Sequence, residues 1–186
     1  MAKLIVWNLV TVDGYFEGPK KWDLDFHNLA WGPELNTLSE AFGDNAAALV
    51  FGRVTYEGMA SYWKSAEAEP SKVTAYMNTL PKLVASRTLK SVDWNNSRVT
   101  ADIVPELRRM KAEEAKPIYV FGSADLTHSL LEAGLVDELM LCVVPVILGA
   151  GTLFFKPGQQ LALDLADTRP LANGAIINTY EVKRAA

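Results

Sequence analysis

Short apolar runs rich in β-branched residues alternate along the chain with stretches whose apolar residues recur every three or four positions. Runs of the first kind are typical of strands that are buried on both faces of a sheet. The predicted strands are residues 3–10, 46–51, 82–85, 95–100, 118–121, 139–148, 161–172 and 175–184. The last two flank Asn173-Gly174, a pair that favours a hairpin turn, so we expect the chain to close with antiparallel strands.

Helical spacing marks the segments between these strands. Leu35, Leu38 and Phe42, for example, fall on one face of a helix. Helices are predicted at residues 34–42, 70–80 and 102–115. A further helix is predicted to begin at residue 53, and another to begin near Ser123 or Asp125 and to end at Gly134. Alternation of strand and helix, followed by antiparallel strands, predicts a three-layer α/β/α sandwich with a mixed, mostly parallel sheet.

Composition narrows the class of protein. A chain of 186 residues that is 49% hydrophobic suits one domain, which we expect to cover residues 1–186. The net charge of −4 argues against a nucleic-acid partner, and no apolar run approaches the roughly 18 residues of a membrane span. The N-terminus lacks the cleavage site of a signal peptide, and the single Cys142 lies in an apolar strand. We therefore expect a cytoplasmic protein with neither a nucleic-acid nor a membrane partner.

Metal chemistry and hydrolysis are not indicated by the motifs. The two histidines, His27 and His128, are isolated from each other and from any cysteine pair. The chain contains no HExxH, P-loop, GxGxxG or GxSxG sequence. We therefore expect no metal site.

Three predicted strand ends carry chemistry that suits a phosphate. They are Gly52-Arg53, Ser86-Arg87-Thr88 and Gly122-Ser123. The first and third join a strand to a helix, and a helix N-terminus offers unpaired N–H groups to an anion. Arginine can add a two-point grip on a phosphate. Because the carboxyl ends of parallel strands share one crevice, the three ends are expected to bind one nucleotide. Ordinary strand-to-helix turns with solvated arginines are the alternative.

Residues 15–33 are predicted to be irregular and are unusually aromatic. Long aromatic loops near a strand end often cover a ligand. The alternative is a loop that its aromatic side chains hold against the core, and the sequence favours neither.

Four segments together resemble the dihydrofolate reductase superfamily. They read TVDGYFEG, FGRVTYEGM, LPKLVASRTL and IYVFGSADLTHSLLEAGLVDELMLCVVPVILGAGTLFF, in the family's order over nearly the whole chain. The closest resemblance is to the reductase domain of riboflavin biosynthesis. It implies a dihydrofolate-reductase-like sandwich with a sheet of about eight strands. It also implies NADPH as cofactor, hydride transfer to a C=N or C=O bond of a small pterin- or pyrimidine-like substrate, and a homodimer.

The resemblance further implies roles for individual residues. The expected cofactor-binding residues are Val12, Gly14, Gly52, Arg53, Thr55, Ser86, Arg87, Thr88, Gly122, Ser123, Ala124, Asp125 and Leu126. Aromatic residues that suit a flat, less charged substrate are Trp22, Phe26, Trp31, Tyr56 and Trp63. Asp13, near the expected nicotinamide position, is the candidate proton relay or substrate anchor. The alternative is that Asp13 only forms the turn with Gly14.

The chain departs from the riboflavin branch at polar positions. Trp7 stands where that branch has a lysine, Phe121 where it has an acidic residue, and Ser123 where it has a second glycine. Folate-reducing members carry an acidic residue on the first helix, but neither Glu34 nor Glu40 sits in a matching motif. We therefore expect a substrate other than the phosphorylated pyrimidine of riboflavin synthesis. The alternative function is a catalytically silent nucleotide-binding homodimer with a regulatory or scaffold role.

Overall fold

The computed structural model describes residues 1–65 and 69–183. Its strands are β1 (Leu4–Thr11), β2 (Tyr15–Glu17), β3 (Ala48–Gly52), β4 (Lys82–Ala85), β5 (Ser97–Thr100), β6 (Ile118–Phe121), β7 (Glu138–Val144), β8 (Thr152–Leu153), β9 (Leu163–Pro170) and β10 (Ile176–Val182). Its helices are α1 (Pro33–Asn45), α2 (Arg53–Trp63), α3 (Lys72–Thr79), α4 (Ile103–Glu113) and α5 (Ala124–Glu132), and a short 3-10 helix covers Asp25–Leu29. None of these described helices is long and apolar enough to cross a membrane.

Eight of the strands form one mixed sheet in the order β5-β4-β3-β6-β1-β7-β10-β9. The strands from β5 to β7 are all parallel, whereas β10 runs antiparallel to β7 and β9 antiparallel to β10. Strands β2 and β8 form a separate small antiparallel sheet. The structure thereby confirms the predicted fold class, an α/β/α sandwich around a mixed, mostly parallel sheet of eight strands.

Strand β1 shows how the sequence builds two apolar layers. Successive side chains of a strand point to opposite faces of the sheet. Trp7 and Leu9 pack on the face covered by α1, α2 and α3, and Val6 and Val10 pack on the face covered by α4 and α5. Because helices cover both faces, all residues of the strand are buried.

The strand predicted at residues 139–148 is shorter in the structure. It ends at Val144, because Pro145 follows and has no N–H to donate to a strand ladder. The strand lies inside the sheet, between β1 and β10.

Other predicted boundaries also move. Residues 15–33, predicted to be irregular, contain β2 and the 3-10 helix. The helix predicted to begin at residue 53 ends at Trp63, and residues 66–68 lie outside the described residues. The last predicted strand ends at Val182, and residue 184 also lies outside the described residues.

After the adjacent central strands β3 and β6, the chain continues into helices on opposite faces of the sheet. Strand β3 leads into α2 on one face of the sheet, whereas its neighbour β6 leads into α5 on the other face. Such a reversal opens a crevice at the carboxyl ends of the strands, where α/β sheets bind their ligands. The candidate site is therefore expected between the ends of β3 and β6.

Candidate active site

A cavity of about 1310 Å³ opens at the carboxyl ends of β3, β4 and β6. One part of it, named here the nucleotide end, is formed by residues 52–55, 85–87, 101–104 and 122–126 together with Lys156. The other part, the aromatic end, is formed by Trp7, Trp22, His27, Trp31, Ser39, Phe42 and Trp63. One cavity thus reaches the predicted phosphate-binding strand ends and most of the predicted aromatic residues.

Ser123 joins the ends of the two central strands. Its hydroxyl accepts a hydrogen bond from the Gly52 N–H at 2.8 Å and shares another with the Thr55 hydroxyl at 2.7 Å. Gly122 and Ser123 both have left-handed backbone, with φ of 63° and 59°. A Cβ at Gly52 would lie 2.6 Å from the Ser123 Oγ, and one at Gly122 would lie 2.9 Å from the Thr55 Cγ2. The close approach of the strand ends therefore requires glycine at both positions.

Three helix N-termini meet at the nucleotide end. Helices α2, α4 and α5 begin after Gly52, Asp102 and Ser123, and none of these residues caps its helix with a side-chain hydrogen bond in the described structure. The first N–H groups of each helix are therefore available to an anion. Ser123 does not cap α5 with its side chain, because its hydroxyl is hydrogen-bonded to Gly52 and Thr55 instead. All three helix starts were predicted from the sequence, but only those of α2 and α5 were expected to bind a phosphate.

Two arginines and a lysine bring positive charge to the nucleotide end. The Arg53 guanidinium is held by both carboxylate oxygens of Glu57 at 3.0 Å. Arg87 is exposed and has no hydrogen-bond partner among the described residues. Lys156, which the sequence analysis did not single out, pairs with Asp125 at 2.6 Å beside the start of α5.

Not every predicted cofactor-binding residue reaches the cavity. Ser86 and Arg87 line it, and the Ser86 hydroxyl accepts a hydrogen bond from the Thr88 N–H at 3.2 Å, which shapes the turn. Thr88 itself, and Val12 and Gly14 after β1, are not part of the cavity wall. Contact of these last three residues with a cofactor therefore stays a prediction that the cavity wall does not support.

Trp22, Trp31 and Trp63 line the aromatic end as predicted. The Trp22 backbone N–H donates a hydrogen bond to the Glu17 carboxylate. The Trp22 indole lies so close to α2 that a Cβ at Gly58 would be 2.5 Å from the ring. Backbone and ring are therefore both held, so the loop presents this indole in a defined position.

Phe26 and Tyr56 are core residues outside the cavity wall, and this burial argues against their expected contact with a substrate. They are only 6% and 3% exposed, and neither lines the cavity. The Tyr56 hydroxyl accepts a hydrogen bond from the Trp94 N–H at 3.1 Å. Phe26 therefore anchors the aromatic loop to the core, while Trp22 and Trp31 line the cavity, where their contact with a ligand stays a prediction.

Asp13 lies in a turn outside the cavity wall. Its carboxylate accepts hydrogen bonds from the Thr11 hydroxyl at 2.6 Å and from the N–H groups of Leu148 and Gly149 at 3.2 and 2.8 Å. The Thr11 hydroxyl, and to a smaller extent the backbone N–H groups, lower the pKa of this carboxyl. These contacts favour the alternative that Asp13 forms the turn, and its proposed catalytic role stays a prediction.

Three polar side chains of the cavity wall were missed by the sequence analysis. Asn8 and Ser39 are 6% and 5% exposed, and neither side chain has a hydrogen-bond partner among the described residues. His27 has an unpartnered Nε2, and burial lowers the pKa of its imidazole to about 4, so the ring is neutral in neutral solution. A polar residue inside an apolar pattern, as Asn8 is in LIVWNLV, was the available signal.

Helix α1 brings no carboxylate to the described cavity wall. Glu34 accepts a hydrogen bond from the Ala172 N–H at 2.7 Å, and Glu40 pairs with Lys72 at 3.5 Å. Among the described residues, α1 contributes only Ser39 and Phe42 to the cavity. The polar group that this helix offers to a ligand is therefore a hydroxyl.

Residues 2–177 match the family profile of the RibD C-terminal domain. The chain belongs to the RibD C-terminal domain family. The protein YyaP of Bacillus subtilis (strain 168) is 26% identical over 181 residues, which cover 96% of this chain and 94% of YyaP. Membership of the family confirms the resemblance to the riboflavin-biosynthesis reductase branch and supports a reductase-family role.

Two solved structures share the fold. The putative riboflavin biosynthesis protein from Shewanella sp. PV-4 superposes with a TM-score of 0.77 at 22% identity, over 99% of this chain and 100% of that one. Dihydrofolate reductase from Enterococcus faecalis, solved with NADP(H), superposes with a TM-score of 0.65 at 16% identity, over 98% of this chain and 97% of that one. These likenesses confirm the dihydrofolate-reductase-like fold.

Proposed function

We propose that this protein is an NADPH-dependent reductase of a small heterocyclic substrate. One observation carries the proposal: three uncapped helix N-termini and three cations meet at one end of a cavity whose other end is aromatic. A nicotinamide dinucleotide needs both surfaces, because its phosphates are anionic and its nicotinamide ring is flat.

The junction of Gly52 and Ser123 suits the diphosphate. The N–H groups that open α2 and α5 converge there, and the absence of a side chain at Gly52 and Gly122 lets the backbone come close. Arg53 and Lys156 are paired with carboxylates in exposed ion pairs. Such pairs are worth only about 0–1 kcal/mol, so either cation can exchange its carboxylate for a phosphate at little cost.

The turn after β4 suits the 2′-phosphate that distinguishes NADPH from NADH. Arg87 is exposed on the cavity wall without a partner among the described residues, and a guanidinium can bind a phosphate through two parallel hydrogen bonds. The NADP(H) in the Enterococcus faecalis enzyme, which has the same fold, adds support for this cofactor.

When bound, NADPH would supply a hydride to the carbon of a C=N or C=O bond, a solvent proton would add to the neighbouring nitrogen or oxygen, and NADP⁺ would leave. The protein's own part is to orient the reacting rings and to exclude water. Trp22, Trp31 and Trp63 can stack on a flat acceptor at the aromatic end. The proposal gives Asp13 no part in proton transfer, because its carboxylate is hydrogen-bonded within its turn.

Calorimetric titration with NADPH and NADH tests the proposal. In Arg87→Ala, NADPH affinity should fall by about 1.5–3 kcal/mol, because a hydrogen bond between charged groups is lost, while NADH affinity should not change. Arg169→Ala, on the exposed strand β9, is the matched control and should bind both cofactors as the wild type does.

The outcomes separate the alternatives. A wild type that binds neither cofactor would refute the proposal, and an equal loss for both cofactors in Arg87→Ala would refute the role of Arg87. NADPH binding without oxidation by any pterin or pyrimidine would support the catalytically silent nucleotide-binding protein instead.

A further inference from the structure

Building on the proposed binding of NADPH at the nucleotide end, we propose that the aromatic end accepts an uncharged planar ring. The ring would carry neither a phosphate group nor a protonated ring nitrogen. The inference rests on three features of the described cavity wall. Its cations lie at the nucleotide end, the Glu17 carboxylate is hydrogen-bonded to the loop, and the polar groups of Ser39 and His27 at the aromatic end are neutral.

The cations of the described cavity wall all lie at the nucleotide end. They are Arg53, Arg87 and Lys156. At the aromatic end, the Trp7 ring on strand β1 packs against the Phe42 ring, and the two ring centroids are 5.3 Å apart. A substrate phosphate in this part of the cavity would lose its hydration without gaining a cationic partner, which opposes binding.

Glu17 is the one carboxylate of the described wall that lies outside the nucleotide end. It accepts hydrogen bonds from the Trp22 backbone N–H and from the Thr152 hydroxyl, the latter at 3.3 Å. Both oxygens therefore already hold the loop, and a cationic ring would have to share them with these two donors. A protonated ring binds best to a carboxylate without other partners, and the described wall has no such carboxylate at this end.

Ser39 and His27 supply neutral hydrogen-bonding groups instead. The Ser39 hydroxyl can donate to a ring carbonyl or accept from a ring N–H, and it has no partner among the described residues. The His27 ring packs edge-on against Phe26 at 4.6 Å, and its Nε2 is unpartnered. An amide-like heterocycle, with C=O and N–H groups in its ring, matches these neutral groups.

The aromatic side chains favour a flat ligand. Trp22, Trp31 and Trp63 belong to the same wall, and the Trp22 indole is held against Gly58. Aromatic rings stack on planar partners and gain little from a charged, hydrated substituent. Shape and charge therefore select the same class of ligand.

The first experiment compares a pyrimidine ring in its neutral free form with the same ring bearing a ribosyl phosphate. Binding to the NADP⁺-loaded protein is followed by quenching of tryptophan fluorescence, and the neutral ring should bind at least about tenfold more tightly. Tighter binding of the phosphorylated ring, or no binding of the neutral one, would overturn the inference. Separate titration with NADPH shows whether the proposed cofactor site itself has failed.

The second experiment changes the charge of α1 at the cavity. Ser39→Asp should bind a protonated 2,4-diaminopyrimidine at least about tenfold more tightly than the wild type, because it supplies the missing carboxylate. Ser39→Ala should weaken binding of the neutral ring by roughly fivefold to tenfold, the loss expected for one hydrogen bond. The exposed Ser91→Ala is the matched control.

NADPH affinity and thermal unfolding check that each variant is folded. Unchanged neutral-ring binding in a folded Ser39→Ala protein would overturn the role of this hydroxyl. If wild type and folded Ser39→Asp bind the protonated ring with equal affinity, the inference that the aromatic end lacks a carboxylate for such a ring is overturned. Should Ser39→Asp fail to fold, the alanine variant and the comparison of the two pyrimidines still decide the question.

Discussion

Replacing Ser123 by alanine and by glycine separates two opposing effects at the junction of β3 and β6. Ser123→Ala removes the hydrogen bonds to the partly buried Gly52 N–H and to the Thr55 hydroxyl, at about 0.5–1.5 kcal/mol each. Ser123→Gly loses the same two hydrogen bonds, but it also removes a side chain from a left-handed backbone, which relieves about 1–2 kcal/mol. The greater freedom of glycine in the unfolded chain offsets about 0.5–1 kcal/mol of that relief.

Both variants should therefore be less stable than the wild type, with Ser123→Gly more stable than Ser123→Ala by about 0.5–1 kcal/mol. Urea unfolding followed by tryptophan fluorescence measures the difference, and Ser91→Ala, at an exposed position, controls for the loss of a hydroxyl. An alanine variant as stable as the wild type would refute the hydrogen bond to Gly52. A glycine variant less stable than the alanine variant would refute the strained backbone.

Four further predictions follow from particular contacts. Gly58→Ala should weaken substrate binding but not NADPH binding, because its Cβ would lie 2.5 Å from the Trp22 ring; titration with each ligand tests this. Asp13→Asn should keep turnover but lose stability. Because the folded pKa of Asp13 lies below its ordinary value of 3.8, the carboxylate stabilises the wild type above that pH, and this contribution disappears as the pH falls through the lowered pKa. Thermal unfolding across pH measures the contribution, and abolished turnover would contradict the turn-forming role. Burial lowers the pKa of Lys82 from 10.5 to about 8, so the free energy of unfolding should rise with pH between these values, and Lys82→Met should not show the rise. The protein should form a homodimer that Leu165→Lys weakens, because Leu165 is 58% exposed on the edge strand β9; light scattering that finds monomers of wild type at every concentration would contradict this.

Local pattern was sufficient for most of the secondary structure. The strands predicted at residues 82–85 and 118–121 are observed with the same bounds, because each is a short apolar run that ends at a change in composition. The parallel arrangement also followed from the alternation of strand and helix. The end of β7 at Val144 was predicted less well, since a continuous apolar pattern conceals the effect of Pro145 on the ladder.

Contacts between distant segments account for what the sequence did not show at the site. The carboxylate of Asp13 binds the backbone of Leu148 and Gly149, which lie 135 and 136 positions away in the chain. The start of α4 belongs to the cavity only because β5 lies next to β4 in the sheet. Neither fact has a signature in the local sequence.

The sequence by itself determined which strand ends carry residues that suit a phosphate, the family of the chain and the layered fold. Those features depend on residues that are close together or on motifs that follow the family's order along the chain. Only the tertiary structure decided which side chains face the cavity. Trp22 and Phe26 share one loop, yet one lines the cavity and the other lies in the core. A local pattern shows that a side chain is apolar and inward, but whether it meets packed atoms or open space depends on segments far away in the chain.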